Sequence, residues 1–216
     1  MKFLFQIQFL SVILMFIACN TSNTEKIEIK NEAGQVIEVF EITSEDGKKN
    51  GIRKVFDEED GSLIWEENYK NDVLDGKRTV FYKNGQPQEV ENYVDSVLVG
   101  EVISYNAAGK VSAKTPYVNK NGSSVLNGMI ERYYSNGQLM EKVTIIDNKF
   151  NGAFEEYYEN GKLKAKGSYV EDRFDEPAEV GIVETYDSTG TLLRKLDCTF
   201  DEENGFSTCK TIWTKE

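Results

Sequence analysis

Histidine is absent from this chain of 216 residues. Catalytic triads that depend on imidazole, and metal sites with histidine ligands, are therefore excluded. Basic residues are the minority, because 25 Lys and Arg stand against 37 Asp and Glu and give a formal net charge of −12. A strongly anionic surface repels nucleic acid and anionic lipid headgroups. Basic proteins, cations and uncharged glycans remain open as partners.

The N-terminus carries a long apolar run, from Phe3 to Ala18, which follows the basic residue Lys2 and ends at Cys19. The run is too short for an ordinary membrane span and has the small residue expected before a cleavage point. Residues 16–19, Phe-Ile-Ala-Cys, resemble the lipobox of bacterial lipoproteins, in which the cysteine is acylated and becomes the new N-terminus. An ordinary secretory signal with an incidental cysteine is the alternative.

The lipobox interpretation divides the chain into three parts. We expect a signal peptide over residues 1–18, a lipidated Cys19 with a short tether over residues 19–25, and a folded domain over residues 26–216. Asn20 follows Cys19, whereas the lipoproteins that this segment resembles use Asp there to stay at the inner membrane. We therefore expect anchoring at the outer membrane. A tether of about seven residues spans at most about 25 Å, so the domain would lie close to that membrane.

Cysteine is scarce, and the lipobox leaves Cys198 and Cys209 as a pair. In an oxidising compartment such a pair can form a disulfide. A four-residue turn over residues 202–205 would place Cys198 directly opposite Cys209, at the Cα separation that a disulfide needs. We expect this disulfide, and two free thiols packed as small apolar residues are the alternative.

A motif recurs six times: a glycine, four residues, an aromatic residue, three or four residues, a second glycine, one residue and usually an apolar residue. The first glycines are Gly51, Gly76, Gly100, Gly128, Gly152 and Gly181, and the second glycines are Gly61, Gly85, Gly109, Gly137, Gly161 and Gly190. Self-similarity at a short fixed period indicates stacked copies of one supersecondary unit. A period of about 24 residues is too short for the paired helices of common helical arrays.

Apolar and polar residues alternate at fixed positions (slots) of each copy, as they do in a half-buried strand. The residue five past the first glycine is aromatic in every copy. The residue two past the second glycine is mostly Leu or Val, the residue eight past it is mostly Tyr, and the residue seven past it is small or polar. Period-two alternation, with many aromatic and β-branched residues, predicts strands. We expect the aromatic, Leu/Val and Tyr slots to share one face of a sheet.

In three of the copies the residues at the second glycine predict a hairpin loop. Their Asn-Gly pairs are Asn84-Gly85, Asn136-Gly137 and Asn160-Gly161. Each fits a three-residue hairpin loop whose glycine adopts the left-handed conformation at a bulge. This loop makes Tyr133 face Leu139 across the hairpin, and Tyr157 face Leu163.

The first copy has one residue more in its loop and still pairs Phe56 with Leu63. A real register keeps the cross-strand partner when the loop length changes. The longer connections at residues 118–127 and 170–180 contain turn-forming residues. We interpret them as surface loops within one continuous domain.

The string Asn151-Gly152-x4-Tyr157-x2-Asn160-Gly161-x-Leu163-x5-Tyr169 resembles the variant form of the MORN repeat. This repeat is common in bacterial proteins, including the YwqK-like proteins described as antitoxins. The resemblance covers residues from about 26 to 213, although Pro87 occupies the apolar slot of the second copy. It implies an all-β fold, an elongated single-layer antiparallel sheet of stacked β-hairpins. It also implies a binding or scaffolding role.

The aromatic row is the candidate partner face. Its residues are Phe56, Phe81, Tyr105, Tyr133, Tyr157 and Tyr186. A single-layer sheet has no second layer to cover its apolar face. Either the rings stack on their neighbours as the core, or curvature leaves a groove that a partner fills. A weaker candidate patch on the other face consists of Tyr82, Tyr134 and Tyr158.

We interpret the chain as a non-catalytic exported lipoprotein that binds a protein partner, or acts as a scaffold, through its repeat sheet. No residue pattern indicates a cofactor or a metal site, and nothing selects a carboxylate pair for acid–base work on a sugar. Two alternatives stay open. One is an antitoxin-like or immunity-like protein that neutralises a basic toxin, whose encounter an acidic surface would speed. The other is a carbohydrate-binding or carbohydrate-acting envelope protein.

Overall fold

The computed structural model of the protein describes residues 24–171 and 175–215. The predicted signal peptide and Cys19 lie outside these residues. Within the described residues the chain forms strands and no helix. These residues therefore include no helix that is long and apolar enough to cross a membrane. The strands are β1 (Thr24–Lys30), β2 (Val36–Thr43), β3 (Gly51–Phe56), β4 (Leu63–Lys70), β5 (Val73–Phe81), β6 (Pro87–Val94), β7 (Val97–Leu98), β8 (Gly100–Tyr105), β9 (Val111–Lys120), β10 (Ser123–Leu126), β11 (Gly128–Tyr133), β12 (Leu139–Ile146), β13 (Lys149–Tyr157), β14 (Leu163–Glu171), β15 (Pro177–Tyr186), β16 (Leu192–Asp201) and β17 (Phe206–Thr214).

The strands pair antiparallel in chain order and form one open sheet. Strand β1 pairs with β2, β2 with β3, and the pattern continues to the pairing of β16 with β17. The short strands β7 and β10 pair with the C-terminal ends of β6 and β9, while the following strands β8 and β11 pair with the rest of β6 and β9. The predicted all-β sheet of stacked hairpins is confirmed.

The hairpin registers agree with the sequence prediction. Tyr133 lies opposite Leu139, and Tyr157 lies opposite Leu163, each next to a β-bulge. Gly137 has a φ of 93°, the left-handed conformation expected of the turn glycine. The longer loop of the first copy keeps the same partners, because Phe56 lies opposite Leu63.

In four of the six copies the first glycine lies where a Cβ would crowd the neighbouring strand, whereas at Gly100 and Gly181 nothing lies within 4 Å of that position. Gly152 has a φ of 127°, and a Cβ at this position would lie 3.1 Å from the Thr144 side chain. At Gly128 a Cβ would lie 2.9 Å from the Pro116 ring. Thr144 and Pro116 occupy the small or polar slot, seven past the second glycine of the preceding copy. The Thr144 hydroxyl also donates a hydrogen bond of 2.9 Å to the main-chain carbonyl of Ala153.

The two longer connections are extensions of hairpins, so their interpretation as surface loops is wrong. Residues 118–120 continue β9 and pair with β10. Strands β14 and β15 likewise extend into the second connection, where Val170 lies opposite Ala178. The added residues satisfy each other's main-chain groups across the extended ladder. The sheet therefore continues into both connections, as far as residue 120 and from residue 123 in the first, and as far as residue 171 and from residue 177 in the second.

The core lies on one face of strands β11–β16. Its buried residues are Ile130, Val143, Ile145, Phe154, Ala165, Val183, Leu196 and Cys198. Tyr169 packs on this cluster, and its ring stacks on that of Phe154 with a centroid separation of 4.0 Å. Tyr157 lies three residues beyond Phe154 on the same strand, so its side chain is on the opposite face.

The prediction that the aromatic, Leu/Val and Tyr slots share one face is therefore wrong. The reason is the β-bulge beside each aromatic residue. Tyr157 pairs with Leu163 while Glu156 pairs with Ala165, so Lys164 is an additional residue in β14. An additional residue changes the parity of the alternation. A period-two count from Leu163 consequently assigns later residues of the strand to the wrong face.

Candidate partner-binding face

A row of alternating charges crosses the face opposite the core. Each member lies opposite the next on the adjacent strand, across β9 and β11–β16. We call this row the charge ladder, and its members are Lys114, Glu131, Lys142, Glu155, Lys166, Glu184 and Lys195. Opposite charges in direct cross-strand pairs stabilise a sheet, whereas like charges destabilise it. The alternation therefore supports the observed register.

Glu184 shows how closely the charge ladder is paired. Its carboxylate lies 2.5 Å from the Lys195 Nζ and 3.0 Å from the Lys166 Nζ. The Tyr186 hydroxyl donates to the same carboxylate at 2.5 Å. Hydrogen bonds from Lys195, Tyr186 and Lys166 lower the pKa of Glu184 to about 2, because they stabilise the charged form. This carboxylate is thus ionised at any ordinary pH.

Three residues of the predicted aromatic row are attached to the charge ladder. Each tyrosine hydroxyl donates a hydrogen bond of 2.5 Å to the carboxylate two residues earlier in its strand. The pairs are Tyr133 with Glu131, Tyr157 with Glu155, and Tyr186 with Glu184. Burial and the bond to Glu131 raise the pKa of Tyr133 to about 12, and the bond to Glu155 together with burial raises the pKa of Tyr157 to about 12. These phenols therefore stay protonated.

The other half of the predicted aromatic row lies in a different environment. Its residues are Phe56, Phe81 and Tyr105, all half-buried. Beside Phe81 and Tyr105 the row of the charge ladder continues with the uncharged residues Ile103, Val90 and Thr79. Charges return only beyond Thr79, where Glu66 and Lys54 form an ion pair of 2.9 Å. Thr79 is itself buried. The six predicted aromatics thus occupy equivalent slots, but the structure brings only the last three together with the ladder charges.

A shallow depression of about 350 Å³ lies on the charge ladder between β13 and β15. We call it the depression, and the side chains at it include Ala153, Ser168, Glu155, Lys166, Ile182 and Glu184. Ala153 and Ser168 lie opposite each other, and their small side chains lower the surface of the sheet. Ile182 is 50% exposed and offers an apolar contact beside the charges. A partner side chain can enter the depression with charged groups around it.

A second charged row, which the sequence analysis missed, lies on the core face of the N-terminal half. Ion pairs of 2.5–3.5 Å join its members Glu38, Arg53, Glu67, Arg78 and Glu91. Glu67 is buried between the two arginines. Arg78 and Glu67 occupy the same slots as Ile130 and Val143 of a later copy. Comparison of these slots between copies is the signal that would have found the row.

The patch of Tyr82, Tyr134 and Tyr158 joins neighbouring copies. Each of these hydroxyls donates a hydrogen bond of 2.7–2.8 Å to the main-chain carbonyl of the aromatic residue in the next copy. The turn residues Asn84, Asn136 and Asn160 likewise donate to a carbonyl in the next turn, at 2.9–3.1 Å. The sequence shows both features, an asparagine before the turn glycine and a second aromatic residue directly after the first. The chemistry of a single turn does not reveal that these side chains bond to the next copy.

The two cysteines of the C-terminal hairpin lie directly opposite each other, Cys198 on β16 and Cys209 on β17. Their Cα atoms are 4.0 Å apart and their Sγ atoms 2.07 Å apart, in a disulfide. Cys19, the predicted lipidation site, lies outside the described residues.

Residues 74–95, 98–119, 126–147 and 150–171 match the family described as MORN repeat variant. Four segments of the chain thus match the MORN repeat variant. They correspond to the copies that begin at Gly76, Gly100, Gly128 and Gly152. MORN repeats are generally non-catalytic modules that bind proteins or membranes. No curated protein matches the chain.

Among solved structures, 38 chains are similar to this one. One is described as "Crystal Structure of TcdB2-TccC3-TEV", with 11% identity and a TM-score of 0.26 over 90% of this chain and 13% of that chain. Another is described as "Crystal Structure of TcdB2-TccC3-Cdc42", with 13% identity and a TM-score of 0.20 over 86% of this chain and 14% of that chain. The chain spans 13–14% of the length of these two solved chains.

Proposed function

We propose that the chain is a non-catalytic module that binds a protein partner through the face of the charge ladder. The observation that carries this proposal is the combination of alternating charges, three tyrosines and the depression with exposed Ile182 on one face. Protein interfaces combine apolar and aromatic anchors with a polar rim. MORN repeats generally bind proteins or membranes. A net charge of −12 disfavours an anionic membrane surface.

The ladder and the depression would contribute differently to binding. Most of the ladder charges already have a partner within the sheet. Ion pairs join Lys114 to Glu131 and join both Lys166 and Lys195 to Glu184, and Glu155 accepts the hydrogen bond of Tyr157. A protein that covers these charges must therefore offset their desolvation. Their main contribution is to fix the orientation and register of a partner with a complementary pattern. The apolar contact at the depression supplies the favourable burial. Ile182 is therefore the residue whose change should affect affinity most.

The test compares two isoleucines in the same slot of different copies. Ile182 lies one residue past Gly181 at the depression, and Ile52 lies one residue past Gly51, away from the charge ladder and 40% exposed. Cross-linking in the native host, followed by mass spectrometry, should recover a protein with the wild type and Ile52→Glu but not with Ile182→Glu. The purified partner should then bind Ile182→Glu at least tenfold more weakly than Ile52→Glu. Equal binding by both variants, or retention of a glycan alone, would contradict the proposal.

We further propose that the protein is an exported bacterial lipoprotein of the YwqK-like type, anchored at the outer membrane through Cys19. The apolar run from Phe3 to Ala18, the lipobox-like residues before Cys19 and the following Asn20 support this. Metabolic labelling with a palmitate analogue should label the wild type and not Cys19→Ser. Labelling of both proteins, or fractionation with the inner membrane, would count against the anchor.

The acidic excess favours a second candidate, an antitoxin-like or immunity-like protein that neutralises a basic toxin. Long-range attraction between opposite net charges speeds association and is screened by salt. With such a partner the association rate should fall by at least tenfold when the ionic strength rises about tenfold. Deletion of this gene alone should also kill the cell while the toxin gene is present. A salt-independent association rate would exclude this candidate.

A further inference from the structure

Three side chains with metal-ligand atoms meet at the C-terminal end of the sheet. Cys198 and Cys209 face each other on β16 and β17, and Glu179 lies on the neighbouring strand β15. The Glu179 Oε2 is 3.9 Å from the Cys198 Sγ and 3.7 Å from the Cys209 Sγ. All three ligand atoms lie within 4.8 Å of one another. The cluster includes a core residue, Cys198, and thus lies opposite the charge ladder.

The separations of these atoms suit a tetrahedral zinc ion. With Zn–S bonds of about 2.3 Å and a Zn–O bond of about 2.1 Å, adjacent ligand atoms of a tetrahedron lie about 3.5–3.8 Å apart. The Glu179 oxygen already lies near this distance from both sulfurs. Only the two sulfurs are closer, because they are bonded to each other. The site therefore requires cleavage of that bond and separation of the two sulfurs to about 3.8 Å.

The surroundings of the cluster also fit a cation. Cys198 is 3% exposed, whereas Cys209 is exposed, so the protein encloses one side and solvent reaches the other. An open side leaves a fourth position for water. The Ser207 hydroxyl donates to the main-chain carbonyl of Glu179 and so holds its strand in place. Among residues 24–171 and 175–215, no lysine or arginine forms a salt bridge with the Glu179 carboxylate.

We propose that reduction of the Cys198–Cys209 disulfide converts this cluster into a Zn²⁺ site with two thiolates and one carboxylate. A dithiol reductant supplies two electrons and two protons: the S–S bond breaks, two thiols form, and the reductant becomes a disulfide. Zn²⁺ then displaces both thiol protons and forms two Zn–S bonds and one Zn–O bond. The metal replaces the disulfide as the link between β16 and β17.

The test uses Co²⁺ as a spectroscopic probe in the full chain carrying Cys19→Ser, so that only the cysteine pair can bind. The reduced protein should take up one Co²⁺ per chain with thiolate-to-cobalt charge-transfer absorption, and one equivalent of Zn²⁺ should abolish that absorption. The oxidised protein should show none. Absence of the absorption from reduced protein with an intact β-sheet circular dichroism spectrum would overturn the proposal.

Two substitutions distinguish a direct Zn²⁺ ligand from a carboxylate that attracts the ion only through its charge. Glu179→Gln should weaken Zn²⁺ binding to the reduced protein at least tenfold, because it removes a ligand. Glu203→Gln removes the same charge from the nearby β16–β17 turn and should change the affinity less than twofold. Equal effects of the two variants would overturn the role of Glu179.

Amide exchange of β17 should be slower with Zn²⁺ than in the reduced metal-free protein, and unchanged exchange would overturn the link between β16 and β17.

Discussion

Gly152 combines two constraints at a single residue. Its φ is 127°, and the Thr144 side chain lies 3.1 Å from the position of a Cβ. We predict that Gly152→Ala lowers the free energy of unfolding by about 2–4 kcal/mol, since it adds backbone strain and overpacking. Gly137→Ala is the matched control, because its φ of 93° is also left-handed but no atom lies within 4 Å of the Cβ position. It should cost about 1–2 kcal/mol less. Urea unfolding measures both, and equal losses would argue against the close approach of the strands.

Glu184 makes stability depend on pH in a defined window. Its donors Lys195, Tyr186 and Lys166 lower its pKa from the ordinary 4.5 to about 2. A carboxyl whose pKa is lower in the folded state contributes stability above its unfolded pKa, and that contribution is lost as pH falls through the folded pKa. We predict that the difference in thermal midpoint between the wild type and Glu184→Gln is largest at pH 7. It should shrink from pH 4.5 towards pH 2.

The control for this pH dependence is Glu202→Gln in the exposed β16–β17 turn. Its midpoint should follow that of the wild type at every pH, because Glu202 forms no ion pair within the described part of the chain. A constant difference between wild type and Glu184→Gln from pH 7 to pH 2 would show that packing, and not the charge, accounts for the effect.

At the scale of the repeat element, hydroxyl groups hold successive hairpins together. The Tyr134 hydroxyl donates to the Tyr157 carbonyl at 2.7 Å, and the Tyr158 hydroxyl donates to the Tyr186 carbonyl at 2.8 Å. We predict that Tyr134→Phe lowers the free energy of unfolding by about 0.5–1.5 kcal/mol, the usual net contribution of one hydrogen bond. The double variant with Tyr158→Phe should lose the sum of the two single losses, because separate interfaces contribute independently in an array. Chemical denaturation provides the measurement, and a non-additive double variant would contradict independent interfaces.

The hairpin elements were predictable from the sequence, and the faces were not. Turn glycines and cross-strand partners such as Tyr157 and Leu163 depend on local loop chemistry, which the sequence displays. The side of Tyr169 depends on the additional residue at Lys164, and a bulge has no fixed sequence signature beside an aromatic slot. The charge ladder joins residues of seven strands, so it becomes visible only when the registers of all the hairpins are known.

At the scale of the whole molecule, an open sheet of hairpins paired in chain order should be long in one direction. In residues 24–171 and 175–215, fifteen strands lie side by side once the short β7 and β10 are set aside. Neighbouring strands lie about 4.8 Å apart, so this sheet spans about 70 Å. A compact globule of this mass would be only about 40 Å across. Small-angle X-ray scattering of the protein without residues 1–19 should therefore give an elongated distance distribution. A symmetric distribution ending near 40 Å would contradict the extended sheet.

An array of this kind should also lose structure locally. Each hairpin contacts mainly its neighbours, so stability is close to a sum of local terms. The Cys198–Cys209 disulfide closes a loop with a sequence separation of 11, and a loop of that size contributes about 3 kcal/mol through chain entropy. We predict that reduction in a buffer with a metal chelator speeds amide exchange in β16 and β17 and leaves β11–β13 unchanged.

Thiol labelling of the unfolded, unreduced protein first shows whether both cysteines are bonded. The variant with Cys198→Ala and Cys209→Ala should exchange at the same rates with and without reductant. A uniform loss of protection from β1 to β17 on reduction of the wild type would mean that the sheet unfolds as one cooperative unit, in disagreement with nearest-neighbour stabilisation.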